Sequence, residues 1–218
     1  MVAIENTGDA PAPVGWNPRR RDLGLIAGAL LGVALAGTSF LVRGGDMNAA
    51  RFAASVVLYA ASLVFILYYV AAPLSRLVRS AVTDALGSRR PSLAYGFTGV
   101  MGIYLACALI PETLGEGRLS LPTLAYSLLT AAVVIVFLLS AGSRRVDRSV
   151  TLRSLQRLSS GYFWFAFTVV DLDRVVGPHR PDGHVYEISL LLLVIALLIS
   201  FADALVLRVK AGMSERAL

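Results

Sequence analysis

The chain has 218 residues, a formal net charge of +6 and 56% hydrophobic residues. Its mean hydropathy of +0.71 lies outside the range of soluble domains, in which apolar usage is about 45–50%. Most of the length is used in apolar runs. What remains excludes a separate flavin or nicotinamide domain, which would need roughly a hundred or more residues of its own.

Residues 1–21 are rich in Pro, Gly, Asp and Asn and lack the apolar centre of a signal peptide. They read as a disordered cytoplasmic tail, with Trp16 placed to rest at the membrane interface. Residues 22–208 follow as a transmembrane domain, and 209–218 as a short cytoplasmic tail.

A bilayer core of about 30 Å needs roughly 20 mostly apolar residues per helix. Six runs meet that length: Leu23–Val42, Phe52–Ala72, Leu93–Ile110, Leu121–Ala141, Leu155–Val176 and Ile188–Leu207. They are continuous, which predicts helices, since barrel strands alternate apolar and polar residues over about 10 positions. The fold class expected is an all-α integral membrane protein, a six-transmembrane-helix bundle.

In the first run Gly24, Gly28, Gly32 and Ala36 recur every four residues. Small residues at that spacing let a second helix approach closely, either inside the monomer or across a dimer seam. Pro73, Pro111 and Pro122 are expected to mark helix ends. The lone Cys107 sits in the third run, so no internal disulfide is possible.

Arginine is sorted by loop. Arg19, Arg20 and Arg21 precede the first run, and Arg76, Arg79, Arg89 and Arg90 separate the second from the third. Arg144, Arg145, Arg148, Arg153 and Arg157 follow the fourth, and Arg208, Lys210 and Arg216 follow the sixth. Only Arg43, Arg51, Arg118, Arg174 and Arg180 fall on the other side. Positive charge concentrates in cytoplasmic loops, which predicts both termini inside. The positive balance then serves anionic headgroups and calls for no nucleic acid. Nineteen arginines against one lysine suggest a GC-rich bacterial genome, and hence a bacterial cytoplasmic (inner) membrane.

Two stretches resemble a known family. YYVAAPLSRLVRSAVTDALGSRRPSLAYGFTGVMGIYLACAL, from Tyr68 to Leu109, is similar to the second-to-third helix region of ferric-reductase-like transmembrane domains. Pro73, Leu74 and Arg76 match the helix boundary, and Arg89, Arg90 and Phe97 match the loop and early helix. LLSAGSRRVDRSVTLRSLQRLSSGYFWFAF resembles the fourth-to-fifth passage, with Ser140 and Leu155 to Leu158 in the family's places. The resemblance implies a helical scaffold for electron transfer. Where the family carries haem-ligating histidines, this chain has Ile103, Gln156 and Val169. Isoleucine and valine cannot ligate iron and glutamine is a poor substitute, so the resemblance points to a haem-less relative.

The remaining candidates are weaker. His179, Asp182 and His184 crowd the last loop, where imidazole with carboxylates suits a transition metal. The spacing fits no zinc signature, and the expected metal count is none. Tyr162, Trp164 and their aromatic neighbours, with Gln156, could line a pocket for a quinone or pigment. No cofactor is predicted, and haem b is disfavoured. Asp171 and Asp203 are intramembrane charges, for which Arg174 and either Arg76 or Arg157 are the candidate partners.

No nucleophile–base arrangement or phosphate-cradling loop is present, so no catalytic residue is assigned. The leading expectation is a non-catalytic membrane subunit that packs against or modulates a partner complex of other membrane subunits. The alternatives are a redox subunit, using quinone or atypically ligated haem in electron transfer, and a small ion or solute transporter.

Overall fold

Every regular element in the described residues is a helix. The computed structural model describes residues 18–115, 121–141, 150–176 and 184–215. They form α1 (Pro18–Val42), α2 (Met47–Leu77), α3 (Ala81–Ser88), α4 (Arg90–Gly115), α5 (Leu121–Ala141), α6 (Val150–Val176) and α7 (Val185–Glu215). Within them Asp22–Val42, Met47–Leu77, Arg90–Ile110 and Val185–Val209 are long and apolar enough to cross a membrane. A shorter apolar run, Leu124–Ser140, lies in α5. The chain therefore has the build of a multi-pass membrane protein.

The helices pack as an up-and-down bundle with α2 at its centre, against α1, α4 and α7, while α5 and α6 close the far side. Helices α2 and α7 run parallel. Ser62 pairs with Ser189 and Arg76 with Asp203, and both pairs join positions 127 apart. Those two contacts lie fourteen residues apart on each helix, or about 21 Å at 1.5 Å per residue. Helices α1 and α4 are also parallel. A Cβ on Gly24 would meet Ser92 and Tyr95, one on Gly28 would strike the Gly96 backbone, and one on Gly32 would press on Ile103. The small-residue ridge is thus an internal seam, at which backbone meets backbone and van der Waals contact is the gain. Ala36 continues it, half-buried against the core.

Local chemistry explains the joints. Gly44 and Gly45 turn the chain between α1 and α2 with φ of +88° and +75°, where an L side chain would be strained. Asp46 then caps α2, its side chain accepting from the Ala49 amide at 2.7 Å.

The helices depart from the expected pattern in two respects. Between the second and third apolar runs residues 81–88 form a further helix, α3, because Ser80 and Thr83 cap one another reciprocally. Pro73 does not end α2, which runs on to Leu77, and Pro111 does not end α4, which runs to Gly115. Proline removes one intrahelical hydrogen bond. In α2 that loss falls on a buried turn held by the rest of a 31-residue helix. Helix α7 runs on to Glu215.

Candidate functional site

Along several helices the buried side chains follow one order: polar, aromatic, polar. At the arginine-rich end, α2 brings Tyr68 and Arg76, α4 brings Arg90, α6 brings Gln156 and α7 brings Asp203. The Arg76 guanidinium grips Asp203 bidentately, Nε donating to Oδ1 at 3.1 Å and Nη2 to Oδ2 at 2.6 Å. A planar guanidinium matches a carboxylate in this way, giving charge-assisted bonds of fixed geometry. Asp203 is buried while Arg76 is half exposed, so the pair reaches from the core towards the bundle end. Beside it the Gln156 amide donates to the Tyr68 hydroxyl at 2.6 Å, and the Arg90 guanidinium lies 4.8 Å from the Tyr68 ring centroid.

The middle layer is a packed group of rings. Phe65 and Tyr68 come from α2, Phe97 from α4, Phe137 from α5, and Phe163 and Phe167 from α6; all are buried. Phe97 meets Phe163 edge-on at 4.8 Å and Phe137 at 5.3 Å, while Phe65 touches Phe97 at 5.4 Å and Phe167 at 5.6 Å. Such tilted and edge-to-face pairs contribute roughly 0.5–1.5 kcal/mol each beyond the area they bury. The layer ties α2, α4, α5 and α6 together at one level.

Towards the opposite end the interior turns polar again. The Ser62 and Ser189 hydroxyls are 3.2 Å apart and both are buried. Ser189 lies beside Asp171, whose Oδ2 has no partner among the described residues. Nearby, Thr130 and Tyr162 join hydroxyls at 2.8 Å. Arg174 is not placed on Asp171: its guanidinium lies 5.8 Å from the Tyr186 ring centroid.

The expected site residues therefore separate. Of the aromatic cluster on α6, Phe163 and Phe167 enter the core, while Phe165 is 64% exposed and faces outward. Trp164 is half-buried and its Nε1 has no hydrogen-bond partner among the described residues. Gln156 pairs with Tyr68 and Tyr162 with Thr130. The three positions at which the ferric-reductase-like pattern places histidine also diverge. Ile103 packs on Gly32, Gln156 bonds Tyr68, and Val169 is 47% exposed.

His184 is exposed and its Nδ1 lies 2.7 Å from a Glu187 carboxylate oxygen. His179 and Asp182 fall outside the described residues. Among the described residues no three His, Cys, Asp or Glu side chains come together as metal ligands. Cys107 is free and half-buried, on the wall of an apolar groove of about 260 Å³ shared with Ala36, Phe40, Ala50, Ala53 and Ile110.

Sequence reasoning missed the serine pair, the Tyr68–Gln156 bond and three of the six rings, Phe65, Phe97 and Phe137. Phe65, Phe97 and Phe137 come from three different helices, so no run of consecutive aromatics marked them as one group. A search of family models, curated proteins and solved structures finds no match to this chain.

Proposed function

We propose that this chain is a six-span bundle of a bacterial cytoplasmic membrane, with both termini and the arginine-rich end facing the cytoplasm. In this reading it is a non-catalytic subunit on a haem-less, ferric-reductase-like scaffold, and it packs against or modulates a partner membrane complex. The observation that carries the reading is the filled centre. Six rings linked in one chain of contacts occupy the level at which four helices converge. The interior is given to cohesion, which leaves the outward faces for interaction.

Those faces are broad and apolar. On α1 they include Leu23, Ile26, Leu30 and Val33, and on α7 Leu191, Leu198 and Phe201. The bilayer covers such surface by default, and a partner helix competes with lipid for it through close packing. The orientation rests on the sorting of arginine between loops.

The test is gentle purification from the native membrane, with an absorption spectrum and identification of what co-elutes. A colourless preparation carrying membrane subunits in fixed stoichiometry is expected. A Soret band would overturn the haem-less reading and restore electron transfer. For the orientation, Ser88→Cys and Asn48→Cys, each introduced into Cys107→Ser, should react with an impermeant maleimide from opposite sides of the membrane.

A further inference from the structure

Asp171 stands apart from the other polar groups of the interior. It is 5% exposed on α6, and its Oδ2 has no hydrogen-bond partner among the described residues. Beside it lies Ser189 of α7, itself fully buried and paired with Ser62 of α2. Carboxylate and hydroxyls thus form a line across three helices.

The charged and titratable groups around it are engaged or turned elsewhere. On α6, Asp173 is exposed and Arg174 lies over Tyr186. On α7, His184 and Glu187 pair with each other. Helix α4 brings Tyr104, partly buried against the core. Helix α2 brings the Ser62 hydroxyl. No cation reaches the carboxylate among the described residues. An ionised carboxylate withdrawn from water without a cation or a full set of donors carries a large desolvation penalty. Intramembrane carboxylates in this position generally mark a bound proton or ion. A proton on the unpartnered oxygen removes the charge and needs no added space.

We propose that Asp171, supported by Ser189 and Ser62, is a proton-binding site in the half of the bundle opposite the arginine-rich end. On loading, a proton from water bonds to Oδ2. On release that O–H bond breaks, the proton returns to water, and Ser189 donates to the carboxylate left behind. The site is independent of partner packing, so it stands or falls apart from the subunit reading above.

Infrared spectroscopy of the full chain in nanodiscs, at neutral pH and in choline buffer, tests it directly. The wild type should show the C=O stretch of a protonated carboxyl group. Asp171→Asn should lose that band, Asp173→Asn should retain it, and Ser189→Ala should move its frequency while leaving it present. Absence of the band in wild type overturns the site, as does a band that survives Asp171→Asn. Should Asp171→Asn fail to fold, an unmoved band in Ser189→Ala overturns it equally. A band that disappears when sodium replaces choline assigns the carboxylate to a metal cation and overturns the proton.

Discussion

Asp203 and Asp171 are both 5% exposed, sit on neighbouring helices and differ almost entirely in what they touch. Asp203 receives two charge-assisted bonds from Arg76, whose half-exposed side chain carries the compensating charge out towards water. Asp171 has a neutral hydroxyl on one side and an unpartnered oxygen on the other. Equal burial therefore does not mean equal chemistry. A buried carboxylate with a bidentate arginine is a fastening between helices, whereas one lacking a cation is open to a ligand of its own. The aromatic layer lies between the two, with Phe163 and Phe167 separating Gln156 from Asp171 along α6.

The largest expected effect comes from breaking that layer. Phe→Ala in a packed core costs roughly 3–5 kcal/mol, and the transfer part shrinks where the surrounding solvent is lipid. Phe163→Ala should therefore destabilise the bundle by about 3 kcal/mol, read from denaturant unfolding in detergent. A loss below about 1 kcal/mol would show that the ring group does not hold the helices together.

Next comes the fastening itself. Arg76→Ala leaves Asp203 buried and alone, a change that costs about 3–5 kcal/mol for fully buried pairs and about 2 here, where Arg76 is half exposed. Adding Asp203→Asn should recover part of that loss, because the second substitution removes the stranded charge. Strict additivity in the cycle would mean the pair does not couple.

Tyr68→Phe removes the acceptor for Gln156 and should cost about 1 kcal/mol, as for one hydrogen bond with a partner left behind. Adding Gln156→Leu should make the Tyr68 substitution nearly silent.

The smallest effect sharpens the comparison most. Asp203→Asn weakens a charged pair and should cost about 1–2 kcal/mol. Asp171→Asn exchanges a neutral acid for a neutral amide of the same shape and should stay within about 0.5 kcal/mol of wild type. Equal losses from the two substitutions, in parallel unfolding curves, would erase the distinction between the aspartates.

Much of the architecture was legible in the residues. Each of the six apolar runs lies within one helix, and Leu121–Ala141 coincides with α5. The four-residue spacing of Gly24, Gly28 and Gly32 marked a packing ridge before its partner, α4, was known. Apolar length and small-residue spacing are local properties of a chain in lipid, where each helix must satisfy its own backbone hydrogen bonds. Capping was less visible: the Ser80–Thr83 box that builds α3 lies in a loop otherwise read as a boundary.

Everything that distinguishes one buried side chain from another came from tertiary structure. The sequence marked Asp171 and Asp203 alike as intramembrane charges, and it offered Arg174 to the first and Arg76 or Arg157 to the second. Proximity along α6 did not bring Arg174 to Asp171, since the guanidinium turns to Tyr186. Arg76 reaches Asp203 across 127 positions because α2 and α7 run parallel in one register, which Ser62 and Ser189 share. The chain's own pattern determines which segments become helices. Which helix lies beside which, and facing where, is settled only when all the helices pack at once, and that packing decides whether a buried charge finds a partner.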